Sequence, residues 1–85
     1  MPRLHKKYSL DRKAIGHRVR EIRGFDLTQA EFGRLTGLTQ AQVSRLENGE
    51  LLPGVELLLR LKGFGKSIDW ILTGEEPNAE KPAAP

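Results

Sequence analysis

The sequence has no cysteine, and its 85 residues include only two histidines, one tryptophan and one tyrosine. Without cysteine the chain cannot form a disulfide or offer a thiolate to a metal, and His5 and His17 do not stand at a metal-ligand spacing. Gly-rich phosphate loops and serine nucleophile elbows are also missing from the sequence. We therefore expect no metal site, no cofactor and no catalytic residue, and we do not expect an enzyme.

Long apolar runs are lacking as well. Even the leucine-rich stretch 55–61 is interrupted by Glu56 and Arg60, so no segment has the length of a membrane span or a signal-peptide core. A chain of this size supports one small hydrophobic core. We expect a single domain that makes no membrane contact and resides in the cytoplasm.

Charge divides the chain into three parts. Residues 1–25 contain eight Lys or Arg against two acidic residues, a balance of +6, whereas residues 75–85 contain three Glu against one Lys, a balance of −2. Residues 1–8 are predicted to be a basic N-terminal arm, either solvated or in contact with a phosphate backbone or a minor groove. Residues 9–74 are predicted to be the folded domain. Residues 75–85, with three prolines and three alanines, are predicted to be a disordered tail.

Short sequence patterns in the middle of the chain predict the starts of two helices. Thr28 with Glu31, and Thr39 with Gln42, each form the pattern of a capping box, in which a threonine hydroxyl and a longer side chain satisfy backbone N–H groups. Gly37 lies between them and can adopt a positive φ at little cost. The pattern predicts two short helices joined by a tight turn.

Hydrophobic periodicity and punctuation by glycine and proline predict five helices in all. Their expected bounds are residues 9 or 10 to 23, 28–36, 39–48, 55–62 and 67–73. The third helix has a polar face that carries Gln40, Ala41, Ser44, Arg45 and Asn48, while Val43 and Leu46 fall on the opposite side. Any surface helix has a polar face, but the capped pair of helices around Gly37 favours a helix presented to a DNA groove over simple solvation.

Residues 27–53 resemble the helix-turn-helix of the phage repressor and Cro-like (XRE-type) family of DNA-binding proteins. The resemblance is carried by Leu27-Thr28-Gln29, Phe32, Gly37, Val43 and, above all, Ser44-Arg45-Leu46-Glu47-Asn48-Gly49 followed by Pro53. It implies an all-α fold, a compact five-helix lambda-repressor-like domain with the helix-turn-helix at helices 2 and 3. It also implies a protein of the bacterial nucleoid or a phage-encoded one.

The resemblance implies roles for the polar residues. The residues expected to contact DNA bases are Gln40, Ala41, Ser44 and Arg45, and those expected to contact phosphates are Thr28, Gln29 and Asn48. The amide of Gln40 can pair with the N6 and N7 atoms of adenine, and Arg45 is suited either to guanine or to a phosphate.

Other positions have expected structural roles. Arg23 and Glu47 stand where the family often has a buried ion pair that joins the first helix to the third, the alternative being two independent surface charges. Gly33 and Thr36 stand where alanine and a larger aliphatic residue are usual, which predicts a second helix with less core area and lower helix propensity. Three residues of the fifth helix are expected in the core or in a dimer interface: Ile68, Trp70 and Ile71.

The sequence therefore predicts a sequence-specific transcriptional regulator, a repressor that binds double-stranded DNA at an inverted repeat as a homodimer. The alternative is a protein-interaction module, an antitoxin or an adaptor, that uses the same fold for a protein partner. An exposed apolar patch around Phe64, Ile68 and Trp70 would favour the alternative.

Overall fold

The computed structural model describes residues 9–76, which form five helices and no strand. The helices are α1 (Arg12–Arg23), α2 (Gln29–Thr36), α3 (Gln40–Glu47), α4 (Val55–Lys62) and α5 (Ile68–Thr73). The predicted basic arm and most of the predicted tail lie outside the described residues. None of the helices between residues 9 and 76 combines the length and the apolar character needed to cross a membrane.

The five predicted helices and the all-α fold are confirmed. Helices α2, α3 and α5 begin one residue later than predicted and α3 ends one residue earlier, and the start of α1 differs by more. The expected start at residue 9 or 10 is wrong, because Asp11 is the N-cap and its carboxylate accepts a hydrogen bond from the backbone N–H of Ala14 at 3.1 Å. A short acidic side chain at this position satisfies one of the N–H groups that have no partner within the helix. The helix therefore begins at Arg12.

Both capping boxes are present. The hydroxyl of Thr28 accepts from the N–H of Glu31 at 3.1 Å, and the N–H of Thr28 donates to the Glu31 carboxylate at 2.9 Å. Thr39 and Gln42 repeat this exchange at the start of α3 with the same two distances. Gly37 closes α2 with a φ of 80°, so the turn between the two helices forms as the sequence predicts.

The capping box has a consequence for acid titration. The backbone N–H of Thr28 stabilises the ionised Glu31 carboxylate and holds its pKa below the ordinary value for glutamate. Since the folded-state pKa is the lower one, this contact stabilises the fold above the unfolded-state pKa, and the contribution is lost as the pH falls through the folded-state pKa. We expect an NMR titration of the Glu31 carboxyl carbon to give a midpoint below that of glutamate in an unstructured peptide. A midpoint at or above the peptide value would contradict the capping geometry.

The core draws on all five helices. Its buried hydrophobic residues are Ile15, Val19, Phe32, Val43, Leu46, Leu58, Leu61 and Ile71. Ile71 is therefore a core residue, whereas Ile68 and Trp70 are half-buried and pack against the core. Lys66 places its ammonium group 4.6 Å from the centre of the Trp70 ring, a cation–π contact that helps to fix α5.

The close approach of α2 to the following turn explains Gly33. A β carbon at this position would lie 2.4 Å from the carbonyl oxygen of Leu38, far inside van der Waals contact. Thr36 is completely buried, and its hydroxyl donates to the carbonyl of Phe32 at 2.8 Å. The two residues that make α2 a weaker helix in isolation therefore fit it tightly against the fold.

Two arginines tie helix ends to other helices. Arg60 of α4 donates to the carbonyl of Thr36 at the end of α2 at 2.9 Å, and Arg18 of α1 donates to the carbonyl of Ile71 in α5 at 3.1 Å. Cations are favourable at carboxyl ends of helices, where carbonyl groups have no partner within the helix. These contacts fix α2 against α4 and α5 against α1.

Candidate nucleic-acid interface

The polar face of α3 is open to solvent. Gln40, Ala41, Arg45 and Asn48 are exposed, and Ser44 is partly exposed. On the opposite side of the helix, Val43 is 0% and Leu46 is 2% exposed. The structure therefore brings the four expected base-contacting residues together on one surface and anchors that surface through the core.

Arg23 and Glu47 come together as an ion pair between α1 and the end of α3. Arg23 Nε donates to Glu47 Oε2 at 2.7 Å and Arg23 Nη2 donates to Glu47 Oε1 at 3.0 Å, a two-point contact. The side chains are only 14% and 4% exposed. The hydrogen bonds to Glu47 raise the pKa of the Arg23 guanidinium above its ordinary value. The remaining Nη1 group donates to the carbonyl of Leu27 at 2.9 Å, so one arginine orients α1, α3 and the segment that leads into α2.

The ion pair continues as a hydrogen-bond chain to the start of α3. Gln29 Nε2 donates to Glu47 Oε1 at 3.0 Å, and Gln40 Nε2 donates to Gln29 Oε1 at 3.0 Å. Sequence reasoning assigned Gln29 and Gln40 to separate DNA contacts and missed their contact with each other. One signal is visible in retrospect: Thr28-Gln29-Ala30 and Thr39-Gln40-Ala41 are two identical helix starts on either side of one tight turn.

The far end of α3 lies beside the start of α1. A β carbon at Gly49 would meet the Cα atom of Lys13 at 3.2 Å, so the two backbones are in close contact next to Asn48. Arg12 and Lys13 are both exposed. The α3 surface is therefore bordered by Gln29 at one end and by two basic residues of α1 at the other.

Between residues 9 and 76, no three side chains of His, Asp or Glu come together as ligands of a metal ion would. The groups available on α3 are amides, a hydroxyl, a methyl and a guanidinium, which suit hydrogen bonding and apolar contact with base edges.

A helix-turn-helix family model matches residues 19–71, more than half of the chain and all of the helix pair just described. The chain belongs to the phage repressor and Cro-like helix-turn-helix family. This confirms the family indicated by residues 27–53 and places the Arg23–Glu47 pair, Gln29 and the α3 surface inside the matched region. The comparison with curated protein sequences found no significant match.

Solved structures of helix-turn-helix proteins share the fold. The P22 c2 repressor, determined in complex with a synthetic operator, is 33% identical with a TM-score of 0.65, and the match covers 72% of this chain and 96% of that one. The clp gene regulator ClgR from Corynebacterium glutamicum is 25% identical with a TM-score of 0.62, covering 76% of this chain and 71% of that one. The restriction-modification controller protein C.AhdI from Aeromonas hydrophila is 29% identical with a TM-score of 0.57, covering 64% and 83%.

Proposed function

We propose that this helix-turn-helix protein is a sequence-specific DNA-binding transcriptional regulator that reads the major groove with α3. The observation that carries the proposal is the row of Gln40, Ala41, Ser44 and Arg45 on the solvent-facing side of a helix whose other face is core. An α-helix fits the major groove, where every base pair presents its own pattern of donors and acceptors. The similarity to a repressor solved with its operator and to two named regulators supports the proposal.

The base-contacting groups suit different partners. Gln40 offers an amide to the N6 and N7 atoms of adenine, and Ala41 offers a methyl group to the C5-methyl group of thymine. Ser44 can donate or accept. Arg45 is exposed, and its guanidinium can bind either guanine or a phosphate.

Phosphate contacts would fix the position of α3 on the duplex. Thr28 is the N-cap of α2, Gln29 is its first residue, and Asn48 is the C-cap of α3, so the three residues border the reading surface on two sides. The amide nitrogen of Gln29 has two hydrogens, of which one is donated to Glu47 and the other is available to a phosphate oxygen. The exposed Arg12 and Lys13 add positive charge beside Asn48.

We further propose that the protein acts as a repressor and binds an inverted repeat as a homodimer. Two copies related by a two-fold axis would place two α3 helices in successive major grooves. Val55 and Leu59 lie one turn apart on α4 and are 76% and 57% exposed, which supports an apolar contact between two copies. Val55 and Leu59 on α4, and the partly exposed Trp70 on α5, are the residues to test for dimer formation.

A protein partner is the second candidate. In the patch first considered for it, Phe64 lies against Phe32 with ring centres 5.3 Å apart and is still 38% exposed, while Ile68 and Trp70 are half-buried. The exposure of Val55 and Leu59 favours a partner, because the apolar strip that they form on α4 can also bind another protein. A monomer at micromolar concentration that binds no DNA sequence selectively would shift the assignment to a protein-interaction module.

Substitution of Gln40 tests the DNA-reading assignment. We expect Gln40→Ala to change which base is preferred at one position of the site and to remove about 1–3 kcal/mol of discrimination there, the range for a two-point base contact. Asn48→Ala is the matched control, because loss of a phosphate contact weakens binding to all sequences alike. Competition binding with a set of single-base variants measures both effects. An unchanged preference in Gln40→Ala would show that Gln40 does not read a base.

A further inference from the structure

The hydrogen-bond chain that ends at Gln40 begins at a group that can only accept. Glu47 holds two hydrogen bonds from Arg23, and an ionised carboxylate has oxygens but no hydrogen to donate. Gln29 must therefore turn its Nε2 group, and not its Oε1 atom, toward Glu47. This leaves Gln29 Oε1 directed at Gln40, so that Gln40 has to donate.

This order determines what Gln40 shows to solvent. One hydrogen of its Nε2 group is used by Gln29, which leaves one N–H donor and the Oε1 acceptor. Adenine presents one acceptor, N7, and one donor, the N6 amino group, and so matches this pair. Guanine presents two acceptors, N7 and O6, and would oppose the Oε1 atom of Gln40.

We propose that Glu47 is a specificity-determining residue, which sets the direction of the Gln29 and Gln40 amides and thereby selects adenine over guanine without touching DNA. The inference rests on the proposed function, since it requires that Gln40 reads a base. Glu47 is a positioning residue in this role, because it acts only through Gln29.

Burial makes Glu47 suitable for this role. Its side chain is 4% exposed, and that of Arg23 is 14% exposed, so bulk water has little access to the carboxylate oxygen that Gln29 contacts. Water can both donate and accept and would allow either amide direction. A carboxylate held by a guanidinium allows only one.

Replacing the Glu47 carboxylate by an amide would remove the constraint on the direction of the Gln29 amide. The side chain of Glu47→Gln has nearly the same shape but can donate as well as accept, so Gln29 can then point either way. When Gln29 is reversed, its Nε2 group donates to Gln40 Oε1, so the Gln40 amide is reversed as well. Its two N–H hydrogens then take the place of the oxygen, and only one lone pair of Oε1 stays free. That arrangement suits the N7 and O6 atoms of guanine.

The experiment compares two duplexes that differ in one base pair. The first carries the site selected by the full chain from a random pool, and the second has guanine in place of adenine at the position where Gln40→Ala loses its preference. Fluorescence anisotropy at one fixed salt concentration gives the ratio of the two dissociation constants for each protein. We expect the wild type to favour adenine by about tenfold or more, and Glu47→Gln to lower this ratio at least about fivefold.

The matched control is Arg23→Lys. Lysine loses the two-point geometry of the ion pair but leaves an ionised carboxylate at Glu47, so the direction of the amides is kept. We expect Arg23→Lys to lower stability while retaining the adenine ratio of the wild type. If Glu47→Gln does not fold, Gln29→Met provides the same test, because it removes the link to Gln40 and its phosphate loss affects both duplexes equally.

The outcomes distinguish a failure of the inference about Glu47 from a failure of the proposed DNA-binding function. Loss of the adenine ratio in Glu47→Gln or Gln29→Met, with retention in Arg23→Lys, supports the inference. An unchanged ratio in the folded Glu47→Gln variant, an equal loss in Arg23→Lys, or a wild-type preference for guanine overturns it while leaving DNA binding intact. A wild-type protein that favours no duplex over any other overturns the proposed function and the inference with it.

Discussion

Replacing Glu47 by alanine will lower the free energy of unfolding by about 3 kcal/mol, because breaking a buried ion pair by removing one partner leaves the other charge uncompensated. The Arg23 side chain is 14% exposed and donates twice to Glu47, so alanine leaves it with one hydrogen bond, to the carbonyl of Leu27. Gln29 loses its acceptor as well. Urea unfolding followed by circular dichroism at neutral pH measures the change.

Two further variants test whether the loss of stability in Glu47→Ala comes from the burial of the ion pair. Glu56→Ala removes an acidic residue whose side chain is 86% exposed and whose contact with Arg60 is 3.8 Å long, and exposed pairs of this kind contribute at most about 1 kcal/mol. The double variant Arg23→Met with Glu47→Leu replaces both charges by apolar side chains and should be more stable than Glu47→Ala. A cost for Glu47→Ala no larger than that for Glu56→Ala would contradict the buried pair.

Gly33→Ala will also destabilise the protein, by about 1–3 kcal/mol, which is the usual range for an added carbon in a well-packed region. Helix propensity alone favours the opposite sign, since alanine is better than glycine in a helix by about 1 kcal/mol. The new β carbon, however, would lie 2.4 Å from the carbonyl oxygen of Leu38. That oxygen belongs to the backbone between α2 and α3 and cannot rotate away as a side chain would.

The position of the turn is fixed from both sides. The N–H of Leu38 donates to the carbonyl of Gly33 at 2.7 Å, so moving the turn away from a β carbon breaks this hydrogen bond. Arg34→Ala, at an exposed neighbouring position on the same helix, is the control and should change stability by less than about 0.5 kcal/mol. Thermal unfolding of Gly33→Ala and Arg34→Ala shows whether Gly33→Ala lowers or raises stability. Stabilisation by Gly33→Ala would show that propensity prevails over contact here.

Helix bounds could be predicted to this extent because their signals are local. Thr28, Thr39, Gly37 and Gly74 each mark a helix end through contacts within four residues of chain. The incorrect start of α1 has the same origin, because the local signal for that helix end is Asp11 and not residue 9 or 10. Gly33 could be found from the sequence, but the carbonyl that it faces comes from the turn geometry and could not.

The sequence predicts which face of α3 is exposed, but it does not predict the hydrogen bonds that connect the residues of the site to one another. Helical periodicity places Gln40 and Arg45 opposite Val43, and the structure agrees because the core accepts only one side of α3. The hydrogen bond between Gln29 and Gln40 depends on how closely two helix starts approach each other. The spacing of residues within one helix gives no information about the distance between the starts of two helices.

Selection from a pool of random duplexes at near-physiological salt, with sequencing of the retained molecules, tests the central claim most directly. The full chain is predicted to enrich an inverted repeat whose half-site centres lie about 10 base pairs apart, since two copies of α3 would occupy successive major grooves on one side of the duplex. Within each half-site we predict an adenine whose enrichment disappears in Gln40→Ala. Retention of no sequence above the background of the starting pool would contradict the account.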